Sequence, residues 1–242
     1  MISSLKRQAA VTSAAAPTTA PSRKKPRRTT FSRAEAHAFY AALAEDRPDP
    51  HTELLFLNPY TLLVAVALSA QATDVSVNKA TKNLFTQVDT PQKMLDLGEA
   101  ALIEHIKTIG LFRTKAKNVI AMAQILVDQH NGEVPRAREA LEALPGVGRK
   151  TANVVLNEAF GEPTIAVDTH IFRVANRTGL APGANPMAVE RALEAITPPA
   201  FKKGAHHWLI LHGRYVCVAR KPKCALCVVR DLCRFPEKSV DA

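Results

Sequence analysis

Aromatic residues are scarce in this 242-residue chain, at 5% with a single Trp. An interior made mostly of Leu, Val, Ile and Ala suits helices, and the hydrophobic fraction of 47% is ordinary for a globular protein. Cysteine is missing from the first 216 residues, and all four lie between Cys217 and Cys233. A disulfide framework spreads its cysteines to staple distant loops, so crowding at one end excludes that class and points to metal. Acidic residues are missing before Glu35, whereas Lys6, Arg7, Arg23, Lys24, Lys25, Arg27, Arg28 and Arg33 all precede it. These account for most of the formal charge of +10, leaving 24 basic and 22 acidic residues elsewhere. Any affinity of the body for a polyanion must therefore come from local placement of charge.

Long apolar runs are also absent. The longest, Leu62 to Leu68, is far too short to span a bilayer, so a soluble protein with no membrane partner is expected. The chain does not open with a continuous apolar block of the signal-peptide kind. Its Ser/Ala/Thr-rich, basic, acid-free start leaves organelle targeting open. The plainer reading is a cytoplasmic protein with a disordered basic tail over residues 1–30 that adds non-specific attraction to nucleic acid. No repeat of fixed period and no heptad seam occurs. Val/Ile-rich alternation bounded by hairpin turns is missing too, which excludes a sheet.

What is present is helical punctuation. Ser32 followed by Glu35 is a capping-box pattern. Asn58-Pro59, Thr90-Pro91 and Asn185-Pro186 each put a capping side chain before a Pro at the first helical position. Gly110, Gly132 and Gly179 each follow a helical pattern, where a left-handed terminating residue is wanted. The expected fold is all-α, with about ten helices.

The segment Leu144-Pro145-Gly146-Val147-Gly148-Arg149-Lys150-Thr151 separates helical stretches over 136–144 and 149–159. Pro145 pushes the preceding residue out of the α region. Gly146 and Gly148 permit positive φ, so a tight turn can expose successive backbone N–H groups at a positive helix mouth, with Arg149 beside it. That is a phosphate site, although a bare Gly-x-Gly also serves as a simple helix connection. Lys150, in the first turn beside Arg149, should have its ammonium form disfavoured, the direction a nucleophile needs from an ordinary lysine pKa of about 10.4. Asp168, in Ile165-Ala166-Val167-Asp168-Thr169-His170, reads as the N-cap of a helix over 169–178.

Cys217-x6-Cys224-x2-Cys227-x5-Cys233 is the most specific signal. Structural zinc pairs two knuckles, or a knuckle with a His pair, and no His lies among these four. Unevenly spaced thiolates suit a [4Fe–4S] cluster better, with zinc the alternative. His206-His207-Trp208-Leu209-Ile210-Leu211-His212 invites a metal reading, but on an apolar helix satisfied structural histidines and a core Trp208 are expected.

From Ser32 to Lys238, the hairpin, the Val-Asp-Thr-His segment, Ser69-Ala70-Gln71-Ala72-Thr73-Asp74 and the cysteine loop together resemble endonuclease III of the helix-hairpin-helix DNA glycosylases. The resemblance implies two helical lobes flanking a DNA cleft: a six-helix barrel over 52–162, and a discontinuous cluster lobe from 31–51 and 163–242. It implies a monomeric base-excision repair enzyme acting on double-stranded DNA with oxidised pyrimidines or abasic sites, in the cytoplasm on the nucleoid. Lys150 would attack C1′ of a flipped-out nucleotide, displace the base and nick the strand by β-elimination, with Asp168 assisting. Gln71 and Leu111 would fill the vacated stack, and Arg220, Lys221 and Lys223 on the cysteine loop would contact the backbone. Two rivals are an adenine-mismatch glycosylase and a non-catalytic iron–sulfur DNA-binding protein. The first lacks the lysine and adds a C-terminal domain, whereas only nine residues follow Cys233 here; Lys150 and Asp168 together disfavour the second.

Overall fold

The computed structural model describes residues 31–239, so the basic tail lies outside the described residues. Ten α-helices and no strand occur among them: α1 Arg33–Asp46, α2 Pro59–Leu68, α3 Asp74–Thr81, α4 Pro91–Ile106, α5 Phe112–His130, α6 Arg138–Glu142, α7 Arg149–Phe160, α8 Thr169–Thr178, α9 Pro186–Ile196 and α10 Lys202–Tyr215. The expected caps form. Ser32 and Glu35 make a reciprocal capping box, and Asn58, Thr90 and Asn185 each accept a backbone N–H ahead of their prolines.

Several boundaries differ from the sequence reading. α4 is broken at Gly98, whose φ of 77° and ψ of 162° are non-helical, because Gly alone tolerates that turn cheaply. α6 is only five residues, shorter than the predicted 136–144. Gly110 does not take the left-handed conformation predicted for it; Leu111 does, at φ 61°. α7 ends on Gly161 at φ 70°, a terminator the sequence reading overlooked.

The apolar residues separate into two cores. One gathers residues from Leu54 to Leu156, with Ala166; the other gathers Phe31 to Leu43 and Ile165 to Val229. The first centres on α2, where Leu62, Leu63, Val64, Ala65 and Leu68 are all fully buried and pack against α3, α5 and α7. Each such side chain contributes about 1.5–3 kcal/mol of burial free energy. In the second, α10 packs against α8 and α1, Trp208 is core, and its indole N–H donates to the Arg47 carbonyl at 2.8 Å.

The two cores are joined through α7. Asn153 and Asn157, one turn apart and buried, donate from their side chains to Ile165 O at 3.5 Å and to Glu162 O and Thr164 O at 2.9 and 3.2 Å. Thr164 Oγ1 returns a bond to Asn153 O at 2.6 Å. The segment after α7 therefore runs back along it and enters α8 near the end where α7 began.

At the other end of α2, Asn58 caps the helix through Thr61 N at 2.9 Å and donates to Asp89 O at 2.8 Å, tying the start of α4 to α2. Asn58→Ala removes both bonds, and urea denaturation should show a loss of about 1–2 kcal/mol.

Candidate DNA-facing site and cysteine centre

The hairpin between α6 and α7 takes its shape from one glycine. Gly146 stands at φ 78°, and a Cβ there would meet Asn118 Nδ2 at 3.0 Å. Gly148 is extended, at φ −97° and ψ 177°, so only one of the two glycines uses the left-handed freedom expected of both. Gly148 is the N-cap of α7, and no side chain caps that end. The first N–H groups of a twelve-residue helix are thus offered outward, where its dipole favours an anion.

Arg149 turns away from that mouth. Its Nε and NH2 fork onto the buried Glu190 carboxylate of α9 at 3.0 and 2.7 Å, so its charge is compensated within the protein. Lys150 is exposed, and it lines two spaces. One is an open cavity of about 400 Å³ bounded by Val167, Asn185, Pro186, Met187 and the Arg149–Glu190 pair. The other is a narrow, partly open cavity of about 40 Å³ whose walls include Ser69, Asp74, Arg214, His206 and His207.

Asp168 caps α8 as predicted, accepting from His170 N and Ile171 N, each at 2.8 Å. Both bonds fall on Oδ1, so Oδ2 is not committed to the helix. Capping and chemistry can therefore coexist on one carboxylate. Its neighbour Val167 lines the open cavity with Lys150, which puts Asp168 at the same end of α7.

Four non-glycine residues adopt positive φ among the described residues: Gln71 at 55°, Leu111 at 61°, Asn131 at 52° and Lys221 at 51°. Asn131 is the C-cap of α5. The other three are exposed residues nominated from sequence for DNA contact. Left-handed backbone costs an L-residue roughly 1–2 kcal/mol, and such strain collects where a side chain must be presented rather than packed. Leu111 is 59% exposed, an apolar side chain held out into solvent at the mouth of α5. Arg220 and Lys223 are exposed as well.

The sequence reading missed a charge cluster at the back of the site. Arg214 of α10 pairs with both Asp74, which opens α3, and Glu53, which also accepts from the Tyr215 hydroxyl. Its members are scattered over 160 residues, so no local pattern announces it. The histidine expectation also needs correcting. His207 Nε2 lies 2.9 Å from Glu158 Oε2, a pair that is ionic only when the ring is protonated and that is off the line of a hydrogen bond, and buried His206 Nδ1 has no protein partner.

The four cysteines are free thiols, with Cys217 buried and the others partly so. All four lie within electrostatic reach of one another. Burial is the main cause that pushes the Cys227 thiol up to about 11 and also raises Cys233, so loading a metal there must displace protons. Among the described residues, no group of three His, Cys, Asp or Glu side chains is placed to hold a single metal ion, and four thiols in one loop supply the ligand set of an iron–sulfur cluster. Nitrogens already face three sulfurs: Arg177 NH1 donates at 3.6 Å to Cys217 and Phe235 N at 3.5 Å to Cys233, and His212 Nε2 lies 3.6 Å from Cys227. Such contacts offset thiolate charge around a cluster. Arg173 and Arg177 of α8 also bind the carbonyls of Gly213, Cys217, Val218 and Ala219, bolting the loop to the helix that Asp168 opens. Neither arginine was singled out from sequence.

Residues 64–199 match the family model described as HhH-GPD superfamily base excision DNA repair protein, and residues 217–233 match the iron-sulfur binding domain of endonuclease III. Endonuclease III of Escherichia coli strain K12 is 62% identical over 196 residues, covering 81% of this chain and 93% of that protein. The Haemophilus influenzae endonuclease III is 61% identical over the same shares. Among solved structures, a trapped endonuclease III–DNA covalent intermediate superposes with a TM-score of 0.78 at 44% identity, covering 84% of this chain and 96% of that one. A thermostable thymine-DNA glycosylase superposes at 0.74 with 28% identity, covering 86% and 97%.

The iron–sulfur assignment predicts a brown protein. Metal analysis should find iron with acid-labile sulfide, and Cys227→Ala should lose both; a colourless protein with one zinc per chain would refute it.

Proposed function

The chain belongs to the endonuclease III family of HhH-GPD base excision DNA repair proteins, and from that membership we propose which of its own residues carry the chemistry. The protein is a DNA glycosylase and abasic-site lyase with an iron–sulfur cluster. Among the described residues, no helix is long and apolar enough to cross a membrane.

Lys150 is the nucleophile. The observation that carries this is its position: the one lysine in the first turn of α7, exposed at the lip of the uncapped hairpin and bordering an open cavity, with Asp168 brought to the same helix end. The uncapped α7 mouth after Gly146 and Gly148 binds a DNA phosphate and so delivers the adjacent sugar to the Lys150 amine. The neutral amine attacks C1′, and the base departs with the C1′ bonding pair and takes up the proton that the attacking nitrogen loses; the nitrogen lone pair then breaks the C1′–O4′ bond, O4′ is protonated, and the resulting iminium acidifies the C2′ hydrogen. Loss of that proton expels the 3′ phosphate, which breaks the strand. Asp168 Oδ2 stabilises the cationic sugar as the base leaves.

Gln71 and Leu111 enter the stack that the flipped nucleotide vacates, one polar and one apolar, as an orphaned base and an unstacked face require. Arg220, Lys221 and Lys223 contact the backbone from the cluster loop. Arg149, forked onto Glu190, helps the DNA contact by holding the hairpin to α9. The preferred substrates are oxidised pyrimidines and abasic sites in duplex DNA, the enzyme acts as a monomer on the nucleoid in the cytoplasm, and the cluster is [4Fe–4S]. The lobes divide as a barrel over 52–162 and a cluster lobe from 31–51 and 163–242, a division that follows the two apolar cores.

Borohydride reduction should trap the protein covalently on duplex DNA carrying thymine glycol. Lys150→Gln should abolish trapping while leaving the dissociation constant within a few fold, and trapping equal to the parent would remove Lys150 from this role. Asp168→Asn separates cap from charge: the amide oxygen still caps α8, so thermal stability should hold, while base release slows by roughly 10²–10³-fold.

A further inference from the structure

Arg149, Asn153 and Asn157 recur at a spacing of four and so share one face of α7. Each bonds toward the second core. Asn157 donates to the carbonyls of Thr164 and Lys203 at 3.2 and 3.3 Å, and Asn153 to that of Ile165 at 3.5 Å. Arg149 is the last rung, at the end of α7 that carries Lys150, and its partner is Glu190 of α9. Nε donates to both carboxylate oxygens at 3.0 and 3.3 Å, and NH2 adds a bond at 2.7 Å. Glu190 is only 4% exposed, and Val189 and Leu193 beside it on α9 belong to the second core.

We infer that Glu190 is a positioning residue for the strand-cleaving reaction. Through Arg149 it fixes the first turn of α7, and with it the root of Lys150, against α9. That helix packs on α8, and α8 begins at Asp168. Lys150 and Asp168 therefore stand on different helices, and the Arg149–Glu190 fork links the reacting end of the first to the helix pair that carries the second. The two amides hold the chain after α7, but they lie about one and two turns further down the helix.

A guanidinium forked onto a carboxylate is held in a plane as well as at a distance, so it resists rolling of the turn that bears it. The hydrogen bonds to Glu190 are the main cause that raises the Arg149 guanidinium above its ordinary pKa, so the fork stays charged. Glu142 of α6 also lies 3.9 Å from Arg149 NH1, but that carboxylate is exposed and distant, and it cannot replace the fork. Without the Glu190 charge, Arg149 still offers DNA a cation beside the hairpin. Binding therefore survives while the placement of the Lys150 amine does not, and a displacement of about 1 Å at a reacting atom costs roughly 10²-fold in rate.

This inference rests on Lys150 as the nucleophile, and trapping separates the two: a parent protein that borohydride cannot trap removes both readings, whereas a trappable parent with an unaffected Glu190 variant removes only this one. Single-turnover strand cleavage at saturating abasic-site duplex is measured for the full holoprotein, Glu190→Gln and the double variant Arg149→Gln/Glu190→Gln, each normalised to the fraction that binds duplex. Glu190→Gln should cleave roughly 10–100-fold more slowly, with its dissociation constant within a few fold of the parent's. The double variant should be no slower than Glu190→Gln, because the two side chains act as one unit. Three results overturn the assignment: a parental rate in Glu190→Gln, a loss confined to the dissociation constant, or a double variant slower by a further tenfold. Arg149→Lys keeps both charges but cannot fork, so it decides the matter if Glu190→Gln does not fold. Slower cleavage with binding held then sustains the role of Glu190, and a parental rate ends it.

Discussion

The side chains of Asn153 and Asn157 bind the backbone of the segment that follows their own helix, and the arrangement of the site depends on that return path. Because both amides are buried, their bonds to Ile165, Thr164 and Glu162 are costly to break without replacement. They turn the chain after α7 back along the helix, which sets Asp168 at the Lys150 end. Asp168 then begins α8, and Arg173 and Arg177 of α8 grip the first turn of the cysteine loop. Hairpin, carboxylate and cluster loop are thus three stations along one constrained path. The loop that would hold the cluster is thus tied to the helix that carries the carboxylate.

The backbone is strained at three exposed positions that the sequence nominated for DNA contact. Gln71, Leu111 and Lys221 all sit in the left-handed region, and each lies in a connection bordered by well-formed helices or tied loops. Strain of this size persists only because the flanking α2, α3 and α5 and the arginine-held cysteine loop over-determine the chain there. The same frame supplies rigidity that a base-flipping enzyme needs: a wedge on a loose loop would yield before the stacked duplex did.

Charge placement repeats the theme of local over net. The body is nearly neutral, and many of its cations are spent internally: Arg149 on Glu190, Arg214 on Glu53 and Asp74, Arg173 and Arg177 on carbonyls. The α7 mouth, Lys150 and the loop residues Arg220, Lys221 and Lys223 remain exposed.

Sequence by itself determined the helices, their caps, the Gly146 hairpin and the thiol set, and it nominated Lys150, because these are local: a cap reads its own first turn, and a glycine reads its own φ. It also carried enough pattern to mark Asp168, although a cap and a catalytic carboxylate look alike until the two oxygens are told apart. Only the tertiary structure decided where charge goes and which spaces exist. Arg149 beside Lys150 read as a free cation, yet Glu190, 41 residues on, neutralises it. Gly110 read as the terminator, yet the left-handed residue is Leu111. The smaller of the two spaces that Lys150 lines draws its walls from the loop before α2 and from α2, α3, α7 and α10, so its histidines looked like ordinary core residues in the sequence. Pairing and cavities depend on distances between segments far apart in the chain, and periodicity and capping report nothing about those distances.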